Sequence, residues 1–126
     1  MIKFVCLLKR KKGLSFEQFK HYYENNHAPL AFSYLTKALH YQRRYLQSSM
    51  PGYLEAEGEL PGMYDCFTEV WFENRADMDE NLSVLAHPDT AAVVIADEEK
   101  FLDRSQLRFF IVEDECKSAA SSRKPE

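Results

Sequence analysis

The sequence predicts an α+β fold with the element order β-α-β-β-α-β, a four-stranded antiparallel sheet carrying its helices on one face. Three observations carry the prediction. The first and last β-rich stretches are apolar on both alternations, residues 64–73 alternate with period two, and two capped segments with apolar spacings of three and four lie between strands.

Ile2 to Lys9 places Ile2, Phe4, Cys6 and Leu8 on one side and Val5 and Leu7 on the other, the pattern of a central strand covered on both faces. After the Lys12-Gly13 turn, Ser15 with Gln18 three residues on forms a capping box. Phe16, Phe19, Tyr23, His27 and Leu30 then make a helical stripe. Pro29 disfavours helical geometry at Ala28, so this helix is expected to end or kink just after His27, with a second piece over about Leu30 to Lys37. A Tyr- and Arg-rich strand, Leu39 to Gln47, leads into a Pro/Gly-rich loop to Met63, of a length that often covers a site. In the third strand Cys66, Thr68, Val70 and Phe72 oppose Asp65, Phe67, Glu69 and Trp71. Asn74 with Asp77 caps the next helix to about Ala86, His87-Pro88 interrupts it, and helix resumes to about Leu102 before a final strand over about Gln106 to Asp114.

The chain has 126 residues, 45% of them hydrophobic, with nine Phe, seven Tyr and one Trp, so one domain can close a core without disulfides or a structural metal. The expected domain is 1–115, and 116–126 reads as a disordered tail. A net charge of −4 opposes a nucleic-acid footprint despite the Lys9 to Lys12 run. Cys6, Cys66 and Cys116 are too widely spaced for a zinc site, and the first two read as small buried hydrophobes. The apolar run Phe4 to Leu8 is too short for a signal-peptide core or a membrane span, so a cytoplasmic protein is expected. No glycine-rich phosphate loop, Ser-His-Asp arrangement or paired-carboxylate motif supports nucleotide chemistry or triad hydrolysis, and no cofactor is predicted.

The element order is the split βαβ pattern of the ferredoxin-like fold. Strands one and four are apolar on both sides and strand three carries Phe67 and Trp71, so the face away from the helices also needs cover. A homodimer whose sheets face each other and enclose a cavity, a dimeric α+β barrel, supplies it.

The segments KRKKGLSFEQFKHYYENNHAPLA, YDCFTEVWFEN and DEEKFLDRSQLRFFIVEDE resemble the EthD family of dimeric α+β barrel proteins, in order over residues 2 to about 115. The most specific elements are Lys11 to Ser15 at the start of the first helix, His27 to Leu30 at its end, and Phe101-Leu102-Asp103 before the last strand. Similar proteins include members of ether-degradation clusters, a muconolactone methylisomerase, and small fungal polyketide decarboxylases or dehydratases with the Asn-His-Ala-Pro-Leu segment found here at Asn26 to Leu30. The resemblance implies cofactor-free chemistry in a barrel cavity, with His27 as acid/base. The methylisomerase-like members carry a cysteine after a strand-three glutamate; here Val70 follows Glu69, which removes that nucleophile.

Read from the residues themselves, His27 can take and give a proton near neutral pH, and a helix C-terminus favours its protonated form. Glu69, between Phe67 and Trp71 on a face expected to line the cavity, is a candidate second acid or base whose pKa burial would raise, or else a satisfied partner of Arg43 or Arg44. Asp65 falls at the cavity mouth. Trp71 is placed to stack on an aromatic ligand, and Tyr23 shares the stripe of His27. On strand two either Tyr41, Arg43 and Tyr45 or His40, Gln42, Arg44 and Leu46 face the cavity, because a one-residue slip exchanges them. An inward His40 and Arg44 would add a proton donor and an oxyanion clamp; an inward Tyr41 and Arg43 would replace the imidazole by a phenol.

The functional expectation is a cofactor-independent lyase or isomerase binding a small aromatic or polyketide-like molecule between helices and sheet. The alternatives are a non-catalytic ligand carrier working beside an oxygenase and a cofactor-free monooxygenase.

Overall fold

The computed structural model describes residues 1–46 and 63–119; the long loop over 47–62, of a length that often covers a site, and residues 120–126 of the expected tail lie outside the described residues. Strands β1 (Ile2–Leu8), β2 (His40–Tyr45), β3 (Cys66–Phe72) and β4 (Arg108–Val112) form one sheet in the order β2-β3-β1-β4, every neighbouring pair antiparallel. The β-α-β-β-α-β order is thus observed, and the doubly apolar β1 is a central strand.

Helix α1 (Phe16–Tyr22) starts at the expected capping box. Gln18 N donates to Ser15 Oγ at 3.1 Å and Ser15 N donates to Gln18 Oε1 at 2.9 Å. The chain does not stop at His27. It widens into a five-residue π-helical segment, Tyr23–His27, and continues as α2 (Ala28–Tyr34) with Pro29 in its first turn. Because helix runs on without a break, Pro29 removes one amide from a continuous helical chain, and it does so just after the widened turn. In the widened turn Ala28 N–H reaches back to Tyr23 O. Helix α3 (Arg75–Ala86) is capped by Asn74, and α4 (Pro88–Glu98) by His87 Nδ1, to which Asp89 N donates at 3.3 Å. A short 3-10 turn, Arg104–Gln106, precedes β4, so helix ends four residues before the expected Leu102.

The register fixes both faces. Ile2, Phe4, Cys6 and Leu8 of β1 pair with Phe72, Val70, Thr68 and Cys66 of β3, and this set faces the helices. Tyr41, Arg43 and Tyr45 pair with Val70, Thr68 and Cys66 and share that face. His40, Gln42 and Arg44 lie opposite, with Phe67, Glu69, Trp71 and Phe110.

Two apolar clusters fill the layer between helices and sheet. One gathers Phe19, Tyr23 and Phe101 over Leu8 and Cys66; the other gathers Leu35, Met78 and Phe72 over Ile2 and Val70. They meet over Tyr41, which packs against both. The last strand is apolar on both sides, yet Phe109, Phe110 and Ile111 are all exposed.

Candidate active site

Where the clusters meet they leave a cavity of about 100 Å³. Its helical wall is Tyr23, His27, Ala31 and Leu35 on one side and Leu85, Val94 and Glu98 on the other; its floor is Phe4, Cys6, Tyr41, Thr68 and Val70. An unfilled core gap of this volume forgoes on the order of 2 kcal/mol of packing.

His27 sits in this wall with 6% of its surface exposed. Its Nδ1 lies 2.8 Å from Asp97 Oδ2 at the end of α4, and the other Asp97 oxygen accepts Tyr22 Oη–H at 2.5 Å. An imidazole nitrogen facing a carboxylate donates, so in the neutral ring Nδ1 carries the hydrogen and Nε2 the lone pair. Phe101, with its ring centroid 4.9 Å away, and Tyr23, at 5.7 Å, hold the imidazole plane. Burial, with Asp97 beside it, pushes the Tyr22 phenol up to about 12.

Three hydroxyls line the floor and wall. Tyr23 Oη is 2.8 Å from Thr68 Oγ1 and 3.0 Å from Tyr41 Oη. Burial pushes both phenols far above their ordinary range, so they remain neutral donors. Glu98 is the cavity's carboxyl: burial holds it above its usual range, against the opposing pull of His27 and of Arg104, whose Nε lies 3.3 Å from Glu98 Oε1. Burial likewise raises the thiols, Cys66 to about 11 and Cys6 beyond it, so neither is a nucleophile near neutral pH.

Of the residues singled out in the sequence, the structure brings Tyr23, His27 and Tyr41 together in one cavity. Arg43 shares their sheet face but gives Nε and Nη2 to Glu24 at 2.5 and 3.0 Å, and Tyr45 Oη also donates to Glu24. Arg43 therefore comes with its counter-ion in place.

The expectation that Glu69, Phe67 and Trp71 line the cavity with His27 is corrected. The β3 alternation puts Cys66, Thr68 and Val70 under the helices, which sends these three to the opposite face. There Glu69 accepts from Arg44 at 2.8 Å and Trp71 Nε1 at 3.1 Å. Burial alone would raise its carboxyl, but those two donors hold it below its usual range, the alternative role as a satisfied partner of Arg44 and not the expected rise. His40 packs edge-on against Trp71 with centroids 4.8 Å apart, and Arg44 lies over Phe67, so neither adds a donor or clamp beside His27. Asp65 is not at a cavity mouth. It accepts Arg10 N–H at 2.8 Å and ties the end of β1 to the start of β3.

The residues missed were Thr68, read only as part of the β3 alternation, and the pair Asp97 and Glu98. A signal was present: Asp97, Glu98 and Glu99 crowd the C-terminal turn of α4, where the helix dipole disfavours carboxylates, so something else had to favour them there.

A four-stranded antiparallel sheet, helices on one face and a buried histidine–carboxylate pair beside the gap between them define an α+β protein of ferredoxin-like fold with a largely apolar internal cavity that a few polar groups enter. The chain belongs to the EthD family, whose EthD domain matches residues 11–105. It has no significant sequence match among curated proteins. Solved structures agree on the fold. An EthD family protein of Bacillus halodurans superposes with a TM-score of 0.63 at 17% identity, over 91% of this chain and 99% of that one. An EthD-like protein of Ralstonia eutropha gives 0.60 at 17% identity, over 89% of each chain. A DABB family protein with a ferredoxin-like fold, from Mesorhizobium loti, gives 0.54 at 16% identity, over 91% and 97%. No helix among the described residues is long and apolar enough to cross a membrane.

Proposed function

We propose that the protein is a cofactor-independent lyase or isomerase that moves a proton next to a carbonyl or phenolic carbon of a small aromatic or polyketide-like molecule. The observation that carries this reading is the His27–Asp97 contact of 2.8 Å, which fixes the Nδ1 side of a buried imidazole lining the inner cavity and leaves Nε2 as its basic nitrogen. Nε2 takes a proton from carbon, and the electron pair moves onto the neighbouring oxygen. The Tyr23 and Thr68 hydroxyls are the neutral donors available to that oxygen, in place of the strand-two arginine expected from sequence. The imidazolium, held by Asp97, returns the proton to an adjacent carbon in an isomerisation or to a departing hydroxyl in a dehydration. In this reading the working unit is a homodimer, supported by the apolar outer sheet face around Phe67, Trp71 and Phe110 and by the exposed β4.

The test is exchange of carbon-bound hydrogen for deuterium, followed by NMR in deuterated buffer over a panel of aromatic keto acids and phenolic acids. His27→Gln, whose amide still donates to Asp97, is expected to slow exchange by roughly 10²–10⁴-fold with the thermal midpoint nearly unchanged. A ligand bound at micromolar affinity with no exchange and no product refutes the enzymatic reading and leaves a ligand carrier; exchange that survives His27→Gln refutes His27 as the base.

A further inference from the structure

The inner cavity, about 100 Å³, is small beside the roughly 300–1,000 Å³ of small-molecule sites in general. One side chain, Tyr41, lines both it and a second concavity. This is an open groove of about 420 Å³ at the β2 edge of the sheet, walled by Ala28, Pro29 and Phe32 on one side and by Leu39, His40 and Arg43 on the other.

On the cavity side Tyr41 is held by its 3.0 Å hydroxyl contact with Tyr23; on the groove side its ring stacks on Phe32, centroids 6.1 Å apart and planes 27° from parallel. Phe32 keeps 53% of its surface exposed, an aromatic face laid open along the groove. Charge in the groove is already matched, since Arg43 and Glu24 form a two-point ion pair. Stacking, and not ion pairing, is the recognition left on offer.

Resting on the acid–base reading of the inner cavity, we infer that the two concavities are halves of one site divided by the Tyr41 ring. The ligand is a planar molecule of at least two rings, its reacting ring inside against His27 and its outer ring stacked on Phe32. Rotation of Tyr41 about its χ1 joins the halves, and a ligand oxygen then takes the place of the Tyr41 hydroxyl at Tyr23 Oη. Phe32 is a specificity residue: it sets how many rings the site accepts and takes no part in proton transfer.

Phenol and 2-naphthol, one ring and two, are the probes, titrated by calorimetry and by NMR of the His27 imidazole into the wild-type protein and Phe32→Ala. Because Phe32 is half exposed, the variant is expected to fold, which its thermal midpoint checks. The expected result is 2-naphthol binding tighter than phenol in the wild type, weakened about tenfold in Phe32→Ala, with phenol changed less than about twofold. An undetectable 2-naphthol complex, equal losses for both probes, or no loss for either overturns the two-part site. A fall in oligomer mass without a change in 2-naphthol affinity also overturns it and assigns Phe32 to a protein contact. Phenol that leaves the His27 resonances unmoved overturns the inner-cavity reading itself; phenol seated at His27 with 2-naphthol indifferent to Phe32 refutes the two-part site alone.

Discussion

Replacing Tyr23 by Phe and Thr68 by Val, singly and together, measures the polar wall of the cavity. Tyr23 has 2% of its surface exposed, and its hydroxyl is the shared member of a chain, 2.8 Å from Thr68 Oγ1 and 3.0 Å from Tyr41 Oη. Tyr23→Phe removes two hydrogen bonds and leaves two hydroxyls to find other partners. Thr68 keeps a fallback in Cys66 Sγ at 3.6 Å, so the expected loss is about 2 kcal/mol, near the sum of two ordinary bonds. Thr68→Val keeps the shape and removes one bond of that chain, for about 1 kcal/mol. The bond common to both is lost once in the double variant, so the single losses should exceed the double by about 1 kcal/mol. Urea unfolding with unchanged m-values is the assay, and each kcal/mol also lowers Tm by roughly 3–5 °C at this chain length. Losses that add within about 0.3 kcal/mol show that the hydroxyls act separately, which removes the argument for a joint oxyanion site.

Burial raises the Glu98 carboxyl in the folded protein above its ordinary 4.5, so its contribution to stability is full below the unfolded-state value and is lost as pH rises through the folded one. Glu98→Gln should therefore gain thermal midpoint relative to wild type as pH is raised above the ordinary carboxylate value of 4.5; a difference independent of pH refutes the burial argument. Phe110, 51% exposed on the outer sheet face, should tolerate Lys in the fold but not in a sheet-to-sheet dimer. Phe110→Lys is expected to reduce the light-scattering mass to that of one chain, and a wild-type protein already at that mass rejects the dimer. Ser15→Ala breaks the capping box and should cost about 1 kcal/mol in urea unfolding, with a loss below about 0.3 kcal/mol showing the cap to be solvent-replaceable.

Local chemistry was legible in the sequence where one segment settles its own structure. Ser15 and Gln18 announce α1, Asn74 and Asp77 announce α3, and the alternation about Val70 gives β3 its two faces. What one segment leaves undecided was not legible. The two alternations of β2 are both polar and aromatic, and only the pairing of Tyr41 with Val70 chooses between them. Glu69 and Trp71 carried the right chemistry for a site, but a sheet has two faces and period two does not say which one His27 shares. Asp97 is seventy residues from His27 and meets it only through packing, with the acidic end of α4 as the one clue.

The π-helical segment Tyr23–His27 makes the site sensitive to the length of the chain as well as to its composition. A widened turn holds one residue more than an α turn, so removing one residue restores an α turn and leaves the helix beyond it on nearly the same bearing. Deleting exposed Asn26 would let the arm relax into uninterrupted α-helix while keeping every residue that touches the cavity. Phe19, Tyr23 and α2 with Phe32 would keep their faces, but His27, inside the turn, would move from four residues after Tyr23 to three and turn from Asp97. A single surface asparagine thus acts as a spacer that sets the bearing of His27, and its loss would displace the imidazole while leaving every cavity side chain in the sequence.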